Sequence, residues 1–263
     1  RLDHRAAGPP DDVRNYGDFI NALVYRYRTG SPYGHVDAIE VWNEPNLARE
    51  WGENTPDPAR YVQLLAAANH GAKTADPSVI VMTAGLSPTE TYDAYTIPDD
   101  VYLQKMYDAG ARGTFDVLGA HAPGFKAPPE MSPDQVAADP SYGGHRFFSF
   151  RRVEDLRSIM VRNGDAGRQI WLTEFGWTSD SVHPEYAWHA VSEQQKADYL
   201  VRAYQWALKN WSPWIGVMVV WNLPRPDWGP QHEEWWWSIA SPGGVTRPAY
   251  DALKAARLNG ILP

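Results

Sequence analysis

The chain has 263 residues, 43% of them hydrophobic, and a formal net charge of −8. That is enough apolar chain for a sizeable core, and its acidity argues against nucleic acid as a main partner, because phosphate binding needs a basic stripe. No run of about eighteen apolar residues exists to span a membrane, and the absence of cysteine removes disulfides, thiolate metal sites and a cysteine nucleophile.

In chain order, Asp11 to Arg28 reads as a helix with no strand before it. Val36 to Trp42 reads as a strand, stopped by Asn43 and Pro45. Asp57-Pro58 opens the next helix, with Asp as N-cap and Pro at the first helical position, running to about Thr74. Ser78 to Ala84 is a buried strand, Pro98 to Gly110 a helix ended by glycine, and Phe115 to Ala120 a third strand. Phe150 to Arg162 is helical and stops at Asn163-Gly164. Gln169 to Thr173 is a strand, Ser192 opens a long amphipathic helix, Ile215 to Trp221 is a strand and Pro248 to Leu258 a closing helix. Two long loops, Ala122 to Ser149 and Asn222 to Thr246, follow strands, where loops of that length are more often functional than idle.

Near-continuous apolar strands alternating with helices predict a parallel α/β sheet covered on both faces. The polar residues Asn43, Glu44, Ser87, His121, Glu174 and Asn222 fall at or just beyond the predicted strand ends. In a (β/α)8 TIM barrel that face carries the active site; an open parallel α/β sheet, the alternative fold, would place a ligand there too. No GxGxxG or GxxxxGK[ST] follows a strand, so nucleotide binding is not expected. The histidines form no HExxH and no tight cluster with Asp or Glu, so neither a metal nor another cofactor is expected.

The segment Glu40-Val41-Trp42-Asn43-Glu44-Pro45-Asn46 resembles the Asn-Glu-Pro signature at the end of strand four in clan A glycoside hydrolases. Trp171-Leu172-Thr173-Glu174-Phe175-Gly176-Trp177, 130 residues on from Glu44 to Glu174, resembles the clan's nucleophile strand, strand seven. Trp221 falls where the clan stacks a sugar at the end of strand eight, and Gly244 to Tyr250 resembles the last loop and helix. The likeness runs over about residues 36 to 258, with family 39 and its bacterial relatives the nearest in flavour. It implies a retaining β-glycosidase acting on a carbohydrate, with Glu44 as general acid/base and Glu174 as nucleophile. Such chemistry needs two carboxyl groups about 5–5.5 Å apart, one protonated and one ionised. The same resemblance makes Asn43 a donor to the sugar 2-hydroxyl, His121 a neighbour of nucleophile or sugar, and Trp221 a stacking platform. Trp177, Trp51, Trp228 and Trp235 are candidate walls, equally able to be core residues. Glu40 shares strand parity with Trp42 and is expected to be structural, paired with an Arg.

If Val36 to Trp42 is strand four, the chain is a single domain, residues 1 to 263, holding strands four to eight of an incomplete barrel, with Arg1-Leu2-Asp3 the tail of strand three at most. Such a chain is either a fragment of a longer enzyme or a truncated barrel. Met82, Val217 and Val219 would then face water, and self-association, as a homodimer, is expected of a chain with two raw sheet edges. The competing expectation is that residues 1 to 35 plug the opening rather than forming an outer helix. The rival functions are a carbohydrate-binding barrel remnant without turnover and a module that docks to another subunit. A secreted bacterial enzyme is expected over a cytoplasmic one.

Overall fold

The computed structural model describes residues 8–262, so Arg1-Leu2-Asp3 lie outside the described residues. The chain is mixed α/β, and its residues divide into two compact units. The first holds the residues up to Ala120 with Asp155–Trp171, the second His121–Glu154 with Leu172 onward. No described helix is long and apolar enough to cross a membrane.

In the first unit, helix α1 (Val13–Arg26) starts from Asp12, whose carboxylate accepts the Arg14 N–H. Helix α2 (Pro58–Ala75) has the predicted Asp57 cap, which accepts the Arg60 N–H, and Pro58 at its first position. The two helices pack on each other. Strands β1 (Ala38–Val41) and β2 (Ile80–Thr83) pair in parallel, with Ala38 opposite Ile80 and Val41 opposite Thr83. Helix α3 (Asp99–Asp108) follows. Met82, expected to face water, is buried instead, with a parallel bridge to Val117 beside it. Tyr61, Leu64 and Leu65 of α2, Val81 of β2 and Tyr102 of α3 are each fully buried in this unit.

Strand β3 (Leu118–Pro123) begins three residues later than the sequence pattern predicts, and strand β4 (Ile170–Gly176) runs three residues further. Phe115 is buried without belonging to a strand, and Val117 makes a lone bridge before β3 begins, so hydrophobicity here reports burial over a longer stretch than the strand itself. β4 is extended by backbone bonds at its far end: Gly124 N–H donates to Gly176 O and Trp221 N–H to Phe175 O. These strands form a sheet of order β3-β4-β5, with β5 at Ile215–Val220. Helix α5 (Val153–Arg162) is preceded by a 3-10 turn at Phe150–Arg152.

In the second unit, helix α7 (Glu193–Asn210) begins with a full capping box between Ser192 and Gln195, and it packs against helix α9 (Pro248–Leu258). The long loops are not bare. One carries the short helix α4 (Pro133–Ala137), the next loop α6 (Pro184–Ala187), and the last α8 (Glu233–Trp237). Phe150, Phe175, Trp177 and Trp211 form a core whose ring centroids lie 5.0–5.8 Å from that of Phe150. β5 is the outermost strand of its sheet; Val217 and Val219 are 44% and 48% exposed, as expected from the sequence.

The α1–α2 crossing depends on two glycines. A Cβ on Gly71 would lie 2.2 Å from the Gly17 carbonyl oxygen, and one on Gly17 would lie 2.9 Å from that of Ala67. Backbone cannot yield as a side chain does, so Gly71→Ala should lower the thermal midpoint. Overpacking of about 1–3 kcal/mol outweighs the gain of about 1 kcal/mol from replacing glycine in a helix. Circular dichroism melts of the two proteins test this.

Candidate active site

The Asn-Glu-Pro segment leaves β1 through two left-handed residues. Trp42 has φ +78° and Glu44 φ +40°, a region that costs an L-residue about 1–2 kcal/mol. Three sets of bonds hold the turn. Glu44 N–H donates to Gly85 O at 3.1 Å. The fully buried Asn46 uses its whole amide, donating to Ser87 O and Ile97 O and accepting the Ser87 N–H. Tyr61, also fully buried, donates to Val41 O at 2.9 Å and accepts the Ala84 N–H at 2.7 Å, tying the ends of β1 and β2 together. Burial pushes its phenol pKa well up, so it remains a donor. Glu40 accepts the Gly85 N–H at 2.8 Å, in keeping with its structural reading. The Glu44 side chain is 13% exposed, and its Oε2 lies 2.9 Å from an Arg49 guanidinium nitrogen. Asn43 is exposed beside it.

Within the second unit, Glu174 stands on β4 itself, not beyond it, with its side chain 30% exposed. His121, buried on β3, brings Nδ1 to 3.7 Å from Glu174 Oε2. The sequence-predicted neighbour of the nucleophile candidate is therefore beside it, in contact rather than at hydrogen-bonding distance. Trp221 follows β5, half-buried, and is joined to Asn222 by a cis peptide.

Trp177 is not a wall. It is fully buried, its indole N–H donates to Ala127 O at 2.9 Å, and a Cβ on Gly124 would fall 1.9 Å from its ring. Side chains alternate along a strand, so Trp177 follows Phe175 into the core while Glu174 takes the other face. Trp51 is buried likewise, edge-on to Trp42 and Tyr61. Trp228 and Trp235 are half-buried, each under an arginine: Arg225 lies 5.9 Å from the Trp228 ring and Arg247 3.9 Å from that of Trp235.

Residues that the sequence reading passed over hold the loop after β5. Lys196, with its side chain fully buried, donates to Glu193 Oε1 at 2.9 Å, Trp236 O at 2.8 Å and Ser238 O at 3.3 Å. Arg247 donates to Trp235 O and Ser238 O. Ser238 in turn donates to Asn222 Oδ1 at 2.5 Å. Two cations thus cap the last carbonyls of α8, where the helix dipole favours positive charge. A local tie closes the loop after β4. His183 Nδ1 lies 2.6 Å from buried Asp180, which raises the His183 pKa. Among the described residues no group of three or more His, Asp or Glu side chains comes together as a metal site would require.

No family model matches the chain, and no curated protein matches its sequence. Solved structures match its fold. A glucosidase from Croceicoccus marinus aligns with TM-score 0.66 and 14% identity over 94% of this chain and 46% of its own. A family 39 glycoside hydrolase from Bacteroides cellulosilyticus WH2 gives 0.58 and 17% over 95% and 46%. A GH39 β-xylosidase from Caulobacter crescentus gives 0.58 and 22% over 94% and 48%. The chain spans about half the length of each of these proteins.

Burial lowers the Lys196 pKa to about 8 from its ordinary 10.5. Between those values the unfolded chain holds a proton that the folded chain has released, so this residue makes stability rise with pH. The unfolding free energy of the wild type, relative to Lys196→Met, should therefore increase by about 3 kcal/mol from pH 8 to 10.5. Urea titrations of both proteins across that range check it; a flat difference would contradict the assignment.

Proposed function

We propose that this chain carries the two catalytic carboxylates of a retaining β-glycosidase, Glu44 as general acid/base and Glu174 as nucleophile. The observation that carries the reading is the Asn43-Glu44-Pro45 turn. There a carboxylate is kept in a left-handed conformation by the bonds of Asn46, Tyr61 and Gly85. Strained, over-determined backbone is a feature of functional sites. Glu174 beside His121, and fold neighbours described as a glucosidase, a family 39 glycoside hydrolase and a β-xylosidase, support it. In this reading β1 to β5 are strands four to eight of a (β/α)8 barrel, and the half-exposed Val217 and Val219 lie on its inner face.

The chemistry then runs in two displacements. Glu174 attacks the anomeric carbon while Glu44 gives its proton to the leaving oxygen, and the sugar becomes an ester of Glu174. Glu44, now ionised, takes a proton from water, which attacks the same carbon and releases Glu174. Asn43 donates to the 2-hydroxyl, and Trp221 stacks under the ring. A sugar-binding chain without turnover is the second reading, favoured by the exposed apolar residues Val217 and Val219 on β5.

A panel of nitrophenyl α- and β-glycosides tests the proposal. β-Glycosides should be cleaved, and proton NMR should show the β-anomer first; an inverted product would refute the mechanism. Glu174→Ala should lose turnover on every substrate and regain it with azide, giving the inverted glycosyl azide. Glu44→Ala should lose about 10²–10⁴-fold on substrates with poor leaving groups. It should spare the first step on nitrophenyl substrates, and azide should then give a retained product. Identical responses from the two variants would overturn the assignment of roles.

A further inference from the structure

Beyond the end of β3 and of β4, the second unit carries an aromatic patch that the mechanism above does not use. Phe125 comes two residues after β3, with φ +50°, just past Gly124, whose N–H bonds Gly176 O at the end of β4. Its ring centroid lies 4.7 Å from that of Phe148 and 5.3 Å from that of His189. Phe148 lies 4.0 Å from Phe147 and 4.7 Å from Trp188, and Trp188 lies 4.9 Å from His189. The loop backbone is shaped to the rings: at Gly143, φ +95°, a Cβ would meet Phe148 at 2.5 Å and Trp188 at 3.1 Å.

Three properties set what this patch can hold. It is not sealed, since Trp188 is 42% exposed and Phe125, Phe147 and Phe148 are each partly accessible. Its floor is polar but uncharged: His189 is 4% exposed, and burial lowers its pKa to about 4, so the ring is neutral at neutral pH. His189 Nδ1 is buried with no hydrogen-bond partner among the described residues, and an unmet buried polar atom is costly unless something bonds it. Flat, partly accessible apolar rings above a neutral polar ring suit a ligand with apolar C–H faces.

We propose that the patch formed by Phe125, Phe148 and Trp188 over His189 is a stacking subsite for a neutral pyranose ring of an oligosaccharide, one beyond the ring held at Glu174. The inference rests on the glycosidase reading for the ligand's class, and on the patch alone for its place. The subsite gives the protein a preference for chains over single sugars.

Calorimetry with cellohexaose, xylohexaose and laminarihexaose, in a Glu174→Gln background to prevent turnover, tests it at pH 7. At least one hexaose should bind more tightly than its disaccharide. Trp188→Leu should weaken hexaose binding at least tenfold, while Trp188→Phe, which keeps a flat ring, should weaken it less. Near-UV circular dichroism identifies any variant that has lost its fold, and the Phe and Leu variants then carry the comparison. Equal affinities for hexaose and disaccharide, equal effects of Phe and Leu, or no binding of any hexaose would each overturn the subsite. If the hexaose binds and Trp188→Leu weakens it while the wild type cleaves no glycoside, the subsite stands and the hydrolase reading falls.

Discussion

Tyr61 stands fully buried between two strands and satisfies both of them with one hydroxyl. Its proton goes to the last carbonyl of β1 and its lone pair to the first N–H beyond β2. Remove the hydroxyl and two buried backbone groups lose their partner, each at about 1–3 kcal/mol. The turns that follow β1 and β2 start from these two atoms. Asn46 then closes the arrangement by bonding Ser87 on both its N–H and its C=O. With the ends fixed in this way, the residues between have little freedom, and Glu44 sits where the closure puts it and not where its own preferences would.

A different device serves the second unit. The loop after β5 is long, and a long loop gains order only from bonds it makes to its surroundings. Here the surroundings supply charge. Lys196 and Arg247 collect the carbonyls of Trp235, Trp236 and Ser238, and Ser238 passes the constraint to Asn222 at the foot of Trp221. Burying cations costs energy, but removing one partner from such a group costs more than the group itself, because the remaining atoms stay buried. The loop is thereby tied to the start of α7 and of α9, helices opened locally by the Ser192 cap and by Pro248 at the first helical position.

Much of the framework was legible in the chain itself. Caps and breakers with a local mechanism, Asp57-Pro58, Ser192 and Pro248, stood where they were read. The strands were located but not bounded. β3 was read too early because burial starts at Phe115, ahead of the strand itself. β4 was read too short because its last residues are held by Gly124 and Trp221, distant in sequence. His121 was legible as a candidate from its place at a strand end, and it does lie beside Glu174. Trp177 misled, because a tryptophan next to a candidate carboxylate looks the same whether it lines a site or fills a core; only the parity of β4 separates the two. Lys196, Arg247 and Asn46 were not singled out, since nothing local distinguishes a buried, hydrogen-bonded polar side chain from an exposed one.

The left-handed turn at Trp42 and Glu44 has a consequence for how this sequence can drift. Glycine at either position would relieve the backbone, and asparagine would tolerate it better than tryptophan or glutamate does. At Trp42 that relief would cost the indole its bond to Glu50 O and its edge-on packing against Tyr16 and Trp51, and at Glu44 it would cost the ion pair to Arg49. Drift at the two positions is therefore held in check by packing at one and by charge pairing at the other, and the left-handed backbone persists beneath both.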